Sequence, residues 1–377
     1  MLSASAVSAC LRAYAVSSNG GGILPGLLLA IVALAAPVAH AQSLGETIAL
    51  VRSTPYAESQ GVADNLATVR RWVLFGESFC EQPDRHLLLD RRWRFLGYID
   101  DGDTVEGTLA LLNETRREMA ESGRVDRWVA GGSTTNGYPF ALACDQPFTD
   151  IDDAIARVTG ANPDYRLWGT WDGMSIATEA EPVSLAELFQ AVVDYRRQQQ
   201  RFSFPNEVIP VFLGKIIIES GGNKDALSAD SAIGILQLLP EVLDDCGIPD
   251  AFRRHRIAQV DCALRLMEQN HRNLSGPFGQ VFGHLPEAKR AALYILLLVQ
   301  THQIGVGRAL QLLQDPELGR AASYFAENQQ RFSAEDILVG MIFHNLGRRD
   351  IGLRTLYYVT DTRLATEALS ARSLHQE

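Results

Sequence analysis

The amino-acid sequence predicts an α+β N-terminal domain at residues 42–200, followed by a mainly α domain at residues 201–377. In the first region, helical patterns alternate with segments that are rich in aromatic and β-branched residues and punctuated by glycine. From Asn206 onward, nearly every segment repeats its apolar residues at helical spacing. The tryptophans support this boundary, because all five lie before it.

Four segments of the N-terminal region have a clear pattern. Thr104–Glu121 predicts a helix, because Asp103 can cap it and leucines recur on one face while charged residues occupy the other. Asp150–Val158 predicts a shorter helix. Trp128–Ala143 and Tyr165–Ile176 are typical of strands and turns.

The two regions meet after one further helix. Ser184–Gln200 predicts this helix, with Ser184 as its N-cap and two arginines near its C-terminus, where cations are favourable. The mainly α region then contains long apolar helices, predicted at Val208–Ser220, Val260–Asn273, Glu287–Gln303 and Ala334–Asn345.

Composition and charge narrow the class of protein. Of the 377 residues, 46% are hydrophobic and 21% are charged, which is the balance of a globular chain with a sizeable core. The formal net charge is −11. A protein this acidic repels phosphate, so we expect no nucleic-acid partner.

The N-terminus has the pattern of an export signal. Ile23–Ala36 is apolar, and Ala39-His40-Ala41 has the small-x-small form that signal peptidase accepts, which predicts a signal peptide at residues 1–41 cleaved after Ala41. The apolar run is shorter than the ~20 residues of a membrane span. The sequence therefore predicts a periplasmic protein, with an uncleaved N-terminal anchor as the alternative.

Cysteine usage agrees with export. Cys10 would leave with the signal peptide, and an even number remain: Cys80, Cys144, Cys246 and Cys262. An even count in an exported protein predicts disulfides, and the simplest of the three possible pairings places one within each region. Because no cluster has zinc-ligand spacing, no metal site is expected.

A carboxylate at the end of an apolar helix is the most informative feature. Glu219 closes the helical run from Val208, and Gly221-Gly222 follow as a stop signal. Burial beside apolar residues raises a carboxyl pKa, which a general acid needs near neutral pH. Glu219 as an ordinary exposed helix-end residue is the alternative interpretation.

The segment after Glu219 adds an ordered set of residues. Ala232 and Gly234 are small enough for close backbone approach, and Gln237 is a lone amide in an apolar run. Since a buried amide needs a partner, Gln237 either braces the fold or contacts a ligand.

These residues resemble the signature of soluble-type lytic transglycosylases, whose catalytic domain is goose-lysozyme-like (glycoside hydrolase family 23). That family shows Glu-Ser, a Pro-x-Ala-x-Ser turn and then Gly-Ala-x-Gly-Leu-Met-Gln-Leu-Met-Pro. The matching positions here are Glu219-Ser220, Ala226, Ser228 and Ser231–Pro240, with Lys224 in place of Pro and Ser231 in place of the first Gly. The resemblance covers about residues 202–365.

A second family motif, Ala-Tyr-Asn-Ala-Gly, is best matched at Ile342–Gly347. Asn345 and Gly347 fit, and His344 stands where the family has Tyr. A competing placement at Gln300–Gly305 lacks the Asn.

The resemblance implies a lysozyme-like domain at residues 201–377 that cleaves peptidoglycan with no metal or cofactor. Glu219 would act as acid and then as base, while Ser220 and Gln237 orient the substrate or Glu219, and His344 and Asn345 line the cleft. The partner is then the peptidoglycan glycan strand, and the accessory domain at 42–200 is a possible contact for an envelope protein.

The sequence leaves two alternative functions open. His344 and Ser231 are compatible with a catalytically silent peptidoglycan-binding or scaffold protein. A hydrolytic muramidase would instead need a second carboxylate, for which the sequence offers Asp225, Asp230, Glu241, Asp244 and Asp245.

Overall fold

The computed structural model describes residues 38–133, 135–145 and 150–373. Residues 1–37 of the predicted signal peptide lie outside this range, and the predicted cleavage point after Ala41 falls within the first described helix. Among the described residues, no helix combines the length and the apolar character needed to cross a bilayer.

The N-terminal region mixes helices with two small antiparallel sheets. Its helices are α1 (Val38–Ser53), α2 (Val62–Phe75), α3 (Val105–Glu121), α4 (Ile151–Thr159) and α5 (Leu185–Gln198). Its strands are β1 (Arg85–Leu89), β2 (Phe95–Asp100), β3 (Phe140–Ala143), β4 (Gly169–Trp171) and β5 (Met174–Ile176).

The larger sheet has the order β2-β1-β3. Leu87, Leu88 and Leu89 of the central strand are completely buried, so both faces of β1 are covered. β4 and β5 form a hairpin whose turn residues, Asp172 and Gly173, have φ values of 45° and 78°. Positive φ at both turn positions matches the right-handed twist of a tight hairpin.

The C-terminal region is helical, as predicted. Its helices are α6 (Val208–Ser220), α7 (Pro240–Asp245), α8 (Arg256–Phe282), α9 (Glu287–Gln314), α10 (Arg320–Glu327), α11 (Ala334–Phe343) and α12 (Leu353–Ser373). α9 is interrupted at Gly305, whose φ is 76° and ψ is 150°.

Helix caps explain several of these bounds. Asp150 caps α4 by accepting from two backbone N–H groups, and Ser184 forms a capping box with Glu187 at the start of α5. The expectation that Asp103 caps α3 is wrong, because the Thr104 side chain accepts from the N–H of Gly107.

Both predicted disulfides are present, Cys80–Cys144 and Cys246–Cys262. The first ties the segment after α2 to the end of β3, and the second ties the end of α7 to α8. The simplest pairing predicted from the sequence is therefore confirmed.

The described chain from Ala39 onward forms one compact unit. α2 of the N-terminal region packs against α11 and α12 of the C-terminal region. Between α2 and α12, Arg70 makes a bidentate, buried ion pair with Asp361, at 2.7 and 2.6 Å. Elements from both sides of the predicted boundary thus share one core.

α6 lies unusually close to α12. A Cβ placed on Gly214 would be 2.1 Å from Oγ1 of Thr366 and 2.7 Å from the carbonyl oxygen of Thr362. Only glycine fits at this crossing. The close approach sets the distance between α6 and α12, and the candidate site lies at the C-terminal end of α6.

Candidate active site

Glu219 lies in the last turn of α6, at a junction with two other helices. Its Oε1 accepts a 2.9 Å hydrogen bond from the hydroxyl of Tyr358 on α12. The same Oε1 lies 3.2 Å from Nε2 of His302 on α9. The Glu219 side chain is 18% exposed. The carboxylate is therefore held firmly by the protein while retaining contact with solvent.

The backbone ends α6 directly after this carboxylate. Gly221 has a φ of 59°, and its N–H donates to the carbonyl of Ile217. This left-handed C-cap is the arrangement that the paired glycines predict. It places Glu219 at the lip of a helix whose preceding turns are buried.

The pKa of Glu219 has several opposing causes. Burial raises it, whereas the hydrogen bond and charge of His302, the charge of Lys215 and the hydrogen bond of Tyr358 lower it, and the result is below the ordinary range. The expectation that the pKa of Glu219 is raised is wrong. Desolvation alone would raise it, but the fold also brings hydrogen-bond donors to the carboxylate, and these lower it.

The two partners of Glu219 differ in their own ionisation. Burial is the main reason why the pKa of Tyr358 lies well above its usual value, so this phenol stays protonated and donates. Burial and the charge of Lys215 lower the pKa of His302, and Glu219 opposes them. His302 is thus the partner whose protonation can change.

A lysine that the sequence analysis overlooked lies one helical turn before Glu219. Lys215 is completely buried, and its ammonium has no hydrogen-bond partner among the described residues. It lies 4.5 Å from the ring centroid of Phe212. Burial lowers the pKa of Lys215 to about 8, and Glu219 opposes this shift. In the sequence, a single cation within an otherwise apolar helix was the feature that could have identified Lys215.

Ser220 and Gln237 belong to the turn that follows Glu219. Ser220 donates to the carbonyl of Ile235 at 2.8 Å and accepts from the N–H of Gly222, so it ties the helix end to the returning segment. Gln237 has a φ of 46° and donates its amide to the carbonyl of Gly234. Both residues shape the chain beside the carboxylate.

Gln259 of α8 fixes the same turn from the opposite side and was not anticipated. Its Oε1 accepts from the N–H of Ile235, and a Cβ on Gly234 would lie 2.0 Å from its Nε2. Gly234 is therefore required for close packing against a buried side-chain amide.

His344 and Asn345 make their hydrogen bonds elsewhere. Nε2 of His344 lies 3.0 Å from Oγ of Ser59, and its ring packs edge-on against Tyr56. Asn345 is buried and donates to the carbonyls of Leu318 and Met341. Among the described residues, the contacts of this pair join α11 to neighbouring segments rather than to Glu219. The competing motif placement at 300–305 contains His302, which does contact Glu219.

Comparisons with known proteins add no assignment, since no protein-family profile and no curated protein matches this chain. Within residues 38–133, 135–145 and 150–373, no group of three or more His, Cys, Asp or Glu side chains is arranged to hold a metal ion. The residues around Glu219 are therefore the ones that can carry chemistry at this site.

Proposed function

We propose that this protein is a lytic transglycosylase with a lysozyme-like catalytic region, which cleaves the β-1,4 bond between N-acetylmuramic acid and N-acetylglucosamine in peptidoglycan. The observation that carries the proposal is the cluster of Glu219, His302 and Tyr358 at the lip of α6. The ordered residues after Glu219, which resemble the family signature, point to the same chemistry.

One carboxylate serves both steps of the proposed reaction. In its protonated form, which the lowered pKa restricts to acidic pH, Glu219 gives its proton to the glycosidic oxygen as the bond from that oxygen to C1 of the muramic acid breaks. Ionised Glu219 then takes the proton of the 6-hydroxyl of the same sugar, whose oxygen bonds to C1 and closes a 1,6-anhydro ring. The carboxylate ends the cycle protonated, as it began.

The two carboxylate oxygens of Glu219 have different contacts. Tyr358 and His302 both use Oε1, and Oε2 makes no hydrogen bond to a described residue. Oε2 is therefore the oxygen available to the substrate, and the two partners fix the orientation of the carboxyl group.

Two of the five carboxylates that could serve a hydrolytic enzyme are held in exposed ion pairs. Asp225 pairs with Lys224 and Arg254, and Asp244 pairs with Arg253. These acids are occupied by exposed ion pairs, whereas a typical glycosidase needs a second carboxylate that faces the sugar.

The test is digestion of purified peptidoglycan by the wild type and by Glu219→Gln, with fragments identified by mass spectrometry. We expect anhydro-muropeptides from the wild type and a loss of at least about 1,000-fold in Glu219→Gln, since the variant carries no exchangeable carboxyl proton. Glu241→Gln, which changes a carboxylate at the start of α7, should cleave normally.

Each other outcome contradicts the proposal in a distinct way. Fragments with reducing ends would identify a muramidase that uses water. Binding to peptidoglycan sediment without any fragment would identify a silent binding protein.

A further inference from the structure

Lys215 is the most unusual buried group in the described chain near the candidate site. It is completely buried within α6, and its ammonium lacks a hydrogen-bond partner among the described residues. An unpaired charge in the interior is unfavourable, and an apolar side chain of the same length would fill the space without that cost. Packing alone therefore does not explain a lysine here.

The position of Lys215 relates it to Glu219. Residues four apart on a helix lie on the same face, so Lys215 and Glu219 share one face of α6, a single turn apart. The interior between α6, α9 and α12 screens charges weakly, and the two side chains influence each other's pKa in opposite directions.

The other elements packed against α6 supply few competing charges. α9 contributes His302, and α12 contributes Tyr358, whose phenol stays neutral. α4 contributes Arg157, which donates to the carbonyl of Gly221 and pairs with Asp153. α5 presents Phe189 to this helix, against Phe212.

We propose that Lys215 is a positioning residue that stabilises the ionised form of Glu219, and so favours the step in which the carboxyl group gives its proton to the glycosidic oxygen. His302 and Tyr358 orient Oε1 by direct contact, whereas Lys215 acts through the low-dielectric interior without touching the substrate. The catalytic consequence rests on the proposed function, but the effect on the ionisation of Glu219 does not.

The direct test is an NMR titration of the Glu219 carboxyl carbon in the wild type and in Lys215→Met, with the resonance assigned by Glu219→Gln. Removing the positive charge raises the pKa of Glu219, and we expect a shift of roughly one pH unit. Lys224→Met removes an exposed lysine paired with Asp225 and should leave the Glu219 titration unchanged. An unchanged titration in folded Lys215→Met would overturn the proposal.

A reciprocal measurement keeps the proposal testable if Lys215→Met does not fold. Because coupling between two groups acts equally on both, Glu219→Gln must lower the pKa of the Lys215 ammonium, followed through its side-chain nitrogen. An unchanged Lys215 titration would also overturn the proposal.

The pH profile of peptidoglycan cleavage connects the electrostatic effect to catalysis. In Lys215→Met the alkaline limb should move to higher pH by the same amount as the Glu219 titration, which a purely structural role would not produce. If the NMR shift is present but the wild type releases no fragments, the proposed function fails while the role of Lys215 stands. If the protein cleaves but neither titration responds, the role of Lys215 fails alone.

Discussion

Tyr358 and His302 contact the same oxygen of Glu219 but have different tasks. The phenol stays protonated across the working range because burial raises its pKa, so it is a constant donor. His302 has a pKa lowered mainly by burial, and its donor capacity depends on pH. Tyr358 therefore supplies orientation, and His302 supplies the pH-sensitive contact.

Replacing Tyr358 by Phe removes the constant donor with little change in shape. A hydrogen bond to a charged group contributes ~1.5–3 kcal/mol, so we expect cleavage to fall roughly 10- to 100-fold. Because this bond lowers the pKa of Glu219, its loss raises that pKa and moves the alkaline limb of the pH profile upward. The measurement is the rate of muropeptide release against pH.

Tyr357→Phe is the matched control for this change. Tyr357 is the adjacent residue of α12, yet its ring packs against Trp93 and lies under the guanidinium of Arg70. Its rate and pH profile should match the wild type, and an equal loss in both variants would argue against a specific role for Tyr358.

The location of Glu219 at the end of an apolar helix could be predicted from the sequence, whereas the side chains that contact it could not. The apolar helix, the glycine stop and the ordered residues after it are all local in the chain. Tyr358 lies 139 residues away from Glu219, on a helix that reaches it only through tertiary packing. The family motif also directed attention to His344, which is buried against Tyr56 and Ser59.

At the level of elements, the crossing of α6 and α12 controls whether Glu219 and Tyr358 meet. Gly214→Ala places a methyl group against Thr366 and the backbone of Thr362. Overpacking of this kind costs ~1–3 kcal/mol. We expect a lower midpoint of thermal unfolding and weaker cleavage, measured by circular dichroism and by muropeptide release.

Gly307→Ala provides the comparison within another helix. Gly307 lies in α9, and a Cβ there would meet no atom within 4 Å. Alanine is the better helix former, so this variant should be stabilised by ~0.5–1 kcal/mol. If Gly214→Ala and Gly307→Ala had the same thermal stability, the tight α6–α12 contact at Gly214 would be contradicted.

Helix bounds were predictable where the apolar pattern was strong and local. α6 spans the predicted residues Val208–Ser220, whereas β1 was missed because its three buried leucines do not alternate with polar residues. α12 lies in the region predicted to be helical but was not among the long apolar helices predicted individually, since its threonines and paired tyrosines weaken the helical signal.

At the scale of the whole molecule, a buried ion pair joins the two regions. Burial raises the pKa of Asp361 and the charge of Arg70 opposes this, so each group depends on the other. Asp361→Ala leaves Arg70 buried without its partner and should cost ~3–5 kcal/mol in the free energy of unfolding. The double variant Arg70→Met, Asp361→Leu should recover most of that loss in denaturant titrations.

Arg71 and Glu367 form the control pair on the same two helices. Their side chains are each 45% exposed and lie 3.4 Å apart. An exposed ion pair contributes ~0–1 kcal/mol, so Arg71→Ala should barely change stability. A large loss there, or none in Asp361→Ala, would contradict the view that burial makes the first pair important.

The adjacent tyrosines of α12 have an evolutionary consequence. Tyr357 packs against the N-terminal region, while Tyr358 binds the carboxylate of the C-terminal region. A recombination event that exchanged residues 42–200 for an unrelated module would leave Tyr357 and Asp361 without their neighbours and loosen the helix that carries Tyr358. The two halves are therefore constrained to be inherited together, and substitutions on one side of α12 should covary with those on the other.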